Sequence, residues 1–267
     1  MKLKELIERA SLKAAGRSVG LEVQVVDDQL VFTPMDPDDP RYSTDFILPS
    51  MKMVEACRAD DFDFFQPFID AGRLTVEQMH RAAVRYHLGK TRSGLPMFWM
   101  IDDRLDVQDA HIGADGWISS LLKSREPLIR HWRPVHCLYG LHLIAKGSLR
   151  EKSYKIDTKS INSPIAIVES EASAVVLSEL FPEVLWMAYA TVEHLDVELF
   201  APLQGRTVTI YPSTDPSCST YLFFLDLAEA IRRRYDLHIT VATILEDHAT
   251  PAQKERCIDL LEFLLEE

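Results

Sequence analysis

The second half of the chain alternates short apolar runs with longer amphipathic stretches. Ile165–Val168 is an apolar run between Pro164 and Glu169. It is too short for a helix and is typical of a strand buried on both faces of a parallel sheet. Further runs of the same character cover 184–190, 207–211 and 238–243. The pattern therefore predicts a parallel sheet of four strands.

Amphipathic stretches between these runs predict helices, which cover 171–181, 192–199 and 221–235. A final helix is predicted to start at Thr250, because Pro251 suits the first helical position. Strands that alternate with helices indicate an α/β fold with right-handed crossovers and helices on both faces of the sheet.

The first half of the chain has the pattern of an α+β structure. Residues 1–60 begin with an amphipathic helix and continue with two strands, at 21–26 and 30–33, that form a hairpin. The stretch 60–89 is helical in pattern, with Thr75 as a candidate helix cap. The aromatic run 96–102 predicts a strand that pairs with 105–112.

Phenylalanines before this aromatic strand have helical spacing and predict a buried core beneath it: Phe62, Phe65 and Phe68. The change of pattern along the chain divides it into three parts. We expect an N-terminal extension over 1–60, an α+β subdomain over 61–160, and an α/β domain over 161–267.

Composition and charge narrow the class of protein. The chain has 267 residues, of which 47% are hydrophobic and 26% charged, as in ordinary globular proteins. No apolar run reaches the length of a membrane span. The four cysteines are scattered without a C-x-x-C pair, which excludes a zinc ribbon and fits free thiols in a reducing cytoplasm. The net charge of −12 means that any contact with nucleic acid requires a local basic patch.

Two stretches could supply such a patch. The first has an aromatic residue, Trp132, among its cations, as suits single-stranded nucleic acid, and its main cations are Lys123, Arg125, Arg130 and Arg133. The second is the polar stretch 146–159, which includes Lys152 and Lys155. A solvated surface is the alternative interpretation of both stretches.

Two acidic residues follow strands of the predicted parallel sheet. Glu169 comes directly after the first strand, and Asp215 follows the third. Ligands of open α/β sheets bind at the carboxyl ends of the strands, where the strand order reverses. We therefore expect Glu169 and Asp215 to lie near one another. The alternatives are a polar strand-end residue for Glu169 and a turn residue for Asp215.

The stretch VESEAS, followed by IYPSTDP, resembles a Toprim domain, the Rossmann-like metal-binding fold of bacterial primases, topoisomerases and some nucleases. Toprim carries a Glu after its first strand and an Asp-x-Asp after its third. Glu169 matches the Glu, and Ser213, Thr214 and Asp215 occupy the Asp-x-Asp, so the first Asp is a serine here. The resemblance implies Mg²⁺ or Mn²⁺ at Glu169, Ser213 and Asp215, with Glu169 and Asp215 catalytic. With the strands counted 1 to 4 along the chain, it also implies the spatial order 2-1-3-4, which makes the first and third strands neighbours.

A second resemblance covers residues from about 60 to the C-terminus. RYHLGKTRSGLPMFWMIDD and CLYGLHLI, before the VES strand, are similar to the catalytic core of bacterial replicative primases. Their order and spacing are closest to an uncharacterised Toprim-like family of bacterial conjugative and mobilisable elements. In that family an Asp-containing helix closes the domain, so Asp259 is a candidate helper acid, with an ordinary surface residue as the alternative.

Three departures from the family pattern point to a weakened site. Ser213 replaces an Asp, Ala172 stands where the pattern has Lys, and the stretch DVQDAHIG lacks basic residues. We therefore expect Mg²⁺ to bind weakly or not at all without a nucleotide.

The resemblances imply a primase-related protein of a mobile element, a metal-dependent nucleotidyltransferase if active. Its partners would be DNA or RNA, including single strands, and a replication or mobilisation protein, with no membrane. The alternatives are a catalytically inactive module that binds nucleic acid or protein, and a Toprim nuclease.

Overall fold

The computed structural model describes residues 21–26, 29–34, 49–113, 116–125, 133–145 and 163–266. The predicted N-terminal helix lies outside these residues. Strands β1 (Leu21–Val26) and β2 (Gln29–Pro34) pair antiparallel, which confirms the predicted hairpin.

Short helices precede the antiparallel sheet: α1 (Met51–Ala56), a 3-10 turn (Asp63–Phe65), α2 (Gln66–Asp70) and α3 (Val76–Arg85). Thr75 caps helix α3, as predicted. The Thr75 hydroxyl accepts a hydrogen bond from the Gln78 N–H, and the Gln78 side chain accepts one from the Thr75 N–H. This capping box satisfies N–H groups that have no partner within the helix.

The antiparallel sheet has the order β3-β4-β5, with β3 (Gly89–Lys90), β4 (Pro96–Ile101) and β5 (Val107–His111). Strand β4 is buried on both faces. Phe98 and Met100 pack in the same core cluster as Phe62, Phe65 and Phe68, which confirms the predicted phenylalanine core. Met97, Trp99 and Ile101 point to a second cluster on the other face. Helix α4 (Ile118–Arg125) follows the sheet.

The second sheet is parallel and has four strands: β6 (Ile165–Val168), β7 (Leu185–Ala188), β8 (Thr207–Ile210) and β9 (His238–Val241). Their order is β7-β6-β8-β9, which is the predicted order 2-1-3-4. In the register, Ile165 lies beside Leu185 on one side and Val208 on the other. The first and third strands are therefore neighbours, as the Toprim pattern requires.

Helices cover both faces of the parallel sheet, because residues of β6 alternate between two apolar clusters. Ala166 and Val168 pack with α5 (Glu171–Leu180). Ile165 and Ile167 pack with α6 (Ser219–Arg234). The remaining segments are α7 (Ile244–His248), α8 (Pro251–Glu255), α9 (Leu260–Glu266), and 3-10 helices at Leu141–Ile144, Val192–His194 and Val197–Leu203. No helix among the described residues is long and apolar enough to cross a membrane.

Two predicted helices differ from the structure. The helix predicted over 192–199 is a pair of 3-10 helices, because the Asp196 side chain accepts from the Leu199 N–H and starts a new helix there. The predicted final helix is divided into α8 and α9. Cys257 has φ 54° between them, a left-handed conformation that an α-helix cannot contain.

The segment before the parallel sheet is attached to the edge of β7. The Tyr139 N–H donates to the Ala188 carbonyl at 2.8 Å, and the Ala188 N–H donates back at 3.1 Å. The Tyr139 ring stacks on Tyr86 and meets Phe98 edge-on. One apolar cluster consequently contains residues from both sheets, including Phe98 and Ala166.

Candidate functional site

A pocket of about 570 Å³ lies beyond the carboxyl end of β6, where α5 begins. Its lining includes the polar side chains of His111, Glu169, Glu171, Ser213, Asp259 and Glu262. Residues from the antiparallel sheet, the parallel sheet and the C-terminal helices therefore meet there. The pocket lies where open α/β sheets bind their ligands.

Glu169 accepts hydrogen bonds from residues that follow the two neighbours of β6 in the sheet, β7 and β8. Its Oε2 accepts hydrogen bonds from the Ser213 hydroxyl at 2.5 Å and from the Tyr189 hydroxyl at 3.3 Å. Tyr189 follows β7 and Ser213 follows β8. Burial raises the pKa of Tyr189, so the phenol stays protonated and donates. Glu169 and Ser213 are thus in direct contact at the predicted position.

Asp215 has a different environment from Glu169. Its Oδ1 accepts from the N–H and hydroxyl of Ser217 and from the Ser219 N–H. Its Oδ2 accepts from the Ser219 hydroxyl and the Thr220 N–H. Burial opposes ionisation of Asp215, but these hydrogen bonds outweigh it and hold the pKa of the carboxyl below its usual range. Asp215 caps the start of α6 and does not line the pocket.

The described residues do not fit the metal site that the Toprim pattern implies. Among them, no group of three or more His, Cys, Asp or Glu side chains is placed to hold a metal ion. Glu169 uses one oxygen, and Asp215 both oxygens, to accept hydrogen bonds. Metal binding at Glu169, Ser213 and Asp215 stays a prediction that this geometry does not favour.

A histidine–glutamate pair also lines the pocket, and sequence reasoning missed it. His111 Nδ1 lies 2.7 Å from Glu171 Oε1. The hydrogen bond to Glu171 raises the pKa of His111, although burial of the ring opposes the shift. Glu171, the second Glu of the VESE stretch, could be noticed in the sequence as a candidate site residue. Its pairing with His111 could not, because the two residues are 60 positions apart and meet only through tertiary packing.

Asp259 is not the surface residue that was the alternative interpretation. It is 8% exposed and lines the pocket. One of its oxygens accepts from the Ser173 hydroxyl and the other from the Glu262 N–H at 2.9 Å. The Glu262 side chain accepts in return from the Asp259 N–H at 3.0 Å. Asp259 and Glu262 form a capping box for α9, so both carboxylates have a structural role.

Of the cations predicted to contact nucleic acid, only Arg133 has a side chain that the structure describes. Lys123 and Arg125 belong to α4, of which only the backbone is described at these positions. Arg133 is exposed. Arg130, Lys152 and Lys155 lie outside the described residues. Their role stays a prediction.

A match to a known family covers more than half of the chain. The matching family is described as a domain of unknown function (DUF6371), and the match spans residues 64–214. It includes Glu169, Glu171 and Ser213 but ends one residue before Asp215. No curated protein matches the chain. The chain therefore belongs to the DUF6371 family of domains of unknown function.

Proposed function

We propose that this protein is a Toprim-derived binding module of nucleic-acid metabolism that does not perform metal-dependent phosphoryl transfer. The observation that carries the proposal is the position of Asp215. Its carboxylate caps α6 and is absent from the pocket lining, so it does not oppose Glu169. Metal-dependent phosphoryl transfer with two carboxylate ligands requires both carboxylates to reach the same metal ion.

The charge of the pocket supports the same proposal. Glu169, Glu171, Asp259 and Glu262 line it, and His111 is the cationic candidate among the lining residues. A phosphate group entering without a metal ion would meet like charges in a partly desolvated site. Nucleic acid is therefore proposed to bind elsewhere on the protein.

The proposed contact surface is the basic stretch around Arg133, together with residues 146–159. Cations with an aromatic residue among them suit single-stranded DNA or RNA. The resemblance to mobile-element proteins supports a replication or mobilisation protein as a further partner. The described thiols are free, which agrees with a cytoplasmic location.

A second candidate is the primase-like enzyme with a weakened metal site. The observation that favours it is Glu169, since no described residue hydrogen-bonds its Oε1. In that case Mg²⁺ or Mn²⁺ would be held by Glu169 together with the substrate.

Calorimetric titration with Mn²⁺, on wild type, Glu169→Gln and Glu193→Gln, separates the two candidates. Glu193 is an exposed carboxylate outside the pocket and serves as the matched control. We expect no saturable Mn²⁺ binding in any of the three proteins. Tight binding that Glu169→Gln abolishes and Glu193→Gln preserves would favour the enzyme.

Oligonucleotide binding tests the other half of the proposal. We expect single-stranded oligonucleotides to bind wild type with an affinity that falls as salt rises, since released counterions drive such binding. Arg133→Glu should weaken this binding, and Glu169→Gln should leave it unchanged. No binding of single- or double-stranded oligonucleotides at low salt would overturn the nucleic-acid part of the proposal.

A further inference from the structure

We propose that His111 and Glu171 form an acid–base pair that hydrolyses neutral esters in the pocket. This activity needs no metal ion and is independent of nucleic-acid binding. It is supported by the hydrogen bond between the two side chains. Further support comes from the second imidazole nitrogen and from N–H groups at the start of α5, for which no described residue is a hydrogen-bond partner.

The pair has the geometry of a base and the group that orients it. Glu171 is 5% exposed and accepts from Nδ1 of His111 at 2.7 Å. A carboxylate at Nδ1 keeps the proton on that nitrogen and leaves Nε2 as the acceptor. His111 is the catalytic residue of the proposal, and Glu171 is its positioning residue.

Nε2 of His111 is available to a ligand. It makes no hydrogen bond to a described residue, and 23% of the side chain is exposed. The ring lies against Trp117, with 4.9 Å between ring centroids, and this contact fixes its plane. His111 lines the pocket, so a bound molecule can reach the imidazole.

The start of α5 offers donors to a carbonyl oxygen beside this base. Ser170 precedes the helix, and its hydroxyl accepts from the Ser173 N–H. The N–H groups of Glu171 and Ala172 have no acceptor among the described residues, as expected for the first turn of a helix. Ser170 and Glu171 line the pocket. An ester carbonyl that accepts from these N–H groups gains stabilisation as negative charge develops on it.

The charge of the pocket selects a neutral substrate. Glu169, Asp259 and Glu262 line it together with the pair, so an anionic ligand would be repelled. An uncharged ester meets no such repulsion. It also has the electrophilic carbon that a base-activated water attacks.

The chemical step uses water as the co-reactant. Nε2 of His111 takes a proton from water while the water oxygen bonds to the acyl carbon, and the carbonyl electron pair moves to oxygen. The carbonyl then re-forms and the bond to the alcohol oxygen breaks. The alcohol leaves with that electron pair and takes the proton from the imidazolium. The products are a carboxylic acid and an alcohol, and nothing is oxidised or reduced.

Several ionisable groups surround His111, and two of them shift its pKa. Glu171 on α5 and Asp109 on its own strand both favour the protonated ring. His136 and His194 lie beyond Trp117, with their rings stacked 3.9 Å apart. The pocket carboxylates Glu169, Asp259 and Glu262 add negative charge. The rate should therefore rise with pH along a limb displaced above that of an ordinary histidine.

The test measures p-nitrophenyl acetate hydrolysis from pH 5 to 9, with EDTA present, by wild type, His111→Gln, Glu171→Gln and His136→Gln. We expect His111→Gln to lose at least about tenfold of the protein-dependent rate, since general base catalysis contributes roughly 10²–10⁴-fold. Glu171→Gln should move the pH limb downward, a change that loss of structure alone would not produce. His136→Gln should keep both the rate and the profile.

Two further measurements keep the outcome decisive. Proton NMR of His111 should show a lower pKa in Glu171→Gln than in wild type. Carbethoxylation of wild type, mapped to His111 by mass spectrometry, should remove the rate, and hydroxylamine should restore it. The proposal is overturned if His111→Gln hydrolyses the ester as fast as wild type, or if His136→Gln loses the rate equally. EDTA excludes metal-dependent hydrolysis from the measured rate. The proposed binding function is tested separately with oligonucleotides, so a failure of the esterase test leaves it untouched.

Discussion

The Ser213 hydroxyl donates a hydrogen bond to Glu169 across 2.5 Å, between the ends of two adjacent parallel strands. The Toprim pattern places an aspartate at the serine position. A carboxylate there would face Glu169 as a second negative charge. The serine replaces that repulsion with a hydrogen bond, which is worth more when its acceptor is charged.

Ser213→Asp should destabilise the metal-free protein by about 1–3 kcal/mol, because it removes a donor from the half-buried Glu169 carboxylate and adds a like charge beside it. Mn²⁺ should recover part of the loss and bind more tightly than to wild type. Urea unfolding with EDTA or Mn²⁺ measures both effects. Ser120→Asp, at an exposed position, is the control. Equal stability of the two variants in EDTA would contradict the expectation.

Asp215→Asn should destabilise the protein by about 1 kcal/mol at pH 7, through weaker capping of α6. The folded-state pKa of Asp215 lies below its unfolded value, so its stabilising effect is present above the unfolded pKa. That effect is lost as pH falls toward the folded pKa. The gap between wild type and Asp215→Asn, measured by urea unfolding, should therefore narrow below pH 4. A gap that widens on acidification would refute the capping role.

Gly140→Ala should destabilise the protein more than Gly94→Ala. Both glycines have positive φ, 85° and 88°, so both substitutions carry the left-handed penalty of about 1–2 kcal/mol. Only at Gly140 would the new Cβ meet a neighbour, the Trp186 carbonyl oxygen at 3.1 Å. The difference between the thermal unfolding midpoints of the two variants measures the cost of that contact. Identical midpoints would show that the Trp186 backbone moves aside at no cost in stability.

His142 should make the protein sensitive to acid. Its ring is buried, which lowers its pKa to about 3, and its Nε2 donates to the Arg85 carbonyl at 3.0 Å. Between pH 3 and the ordinary histidine pKa of about 6.5 the unfolded chain binds a proton that the folded protein does not, so stability falls on acidification. His142→Gln should flatten the dependence of unfolding free energy on pH in this window. The control His80→Gln, at an exposed position, should retain the wild-type slope.

His111 should have the opposite pH dependence. Its pKa is raised in the folded state by Glu171, so the pair stabilises fully below the unfolded pKa. The stabilisation is lost as pH rises through the folded pKa. Wild type should therefore have a higher free energy of unfolding than His111→Gln, and this difference should be larger at pH 6 than at pH 9. The reverse order would show that the neutral ring is the stabilising form.

The parallel sheet could be predicted closely because its apolar runs are short, separate and bounded by polar residues. The first predicted strand has the observed bounds Ile165–Val168. The direction of the Asp215 side chain could not be predicted, since it depends on which loop N–H groups it meets. The run of Ser and Thr after Asp215, just before a long helix, was the available signal for a cap.

The 3-10 helices and the His111–Glu171 pair were beyond sequence reasoning for different reasons. Residues 192–199 have helical composition, and the break at Asp196 comes from a local side-chain hydrogen bond that competes with the helix. The histidine–glutamate pair depends on how the antiparallel sheet packs against α5, which no local pattern encodes.

The attachment of Tyr139 to Ala188 has a consequence for how the parallel sheet meets other chains. It occupies backbone groups at one margin of the sheet, so an incoming peptide cannot extend the sheet at Ala188. The opposite margin is β9, whose outer side no described strand pairs with, and where His238 and Thr240 are exposed. A partner that docks by adding a strand would therefore join β9 and run alongside it.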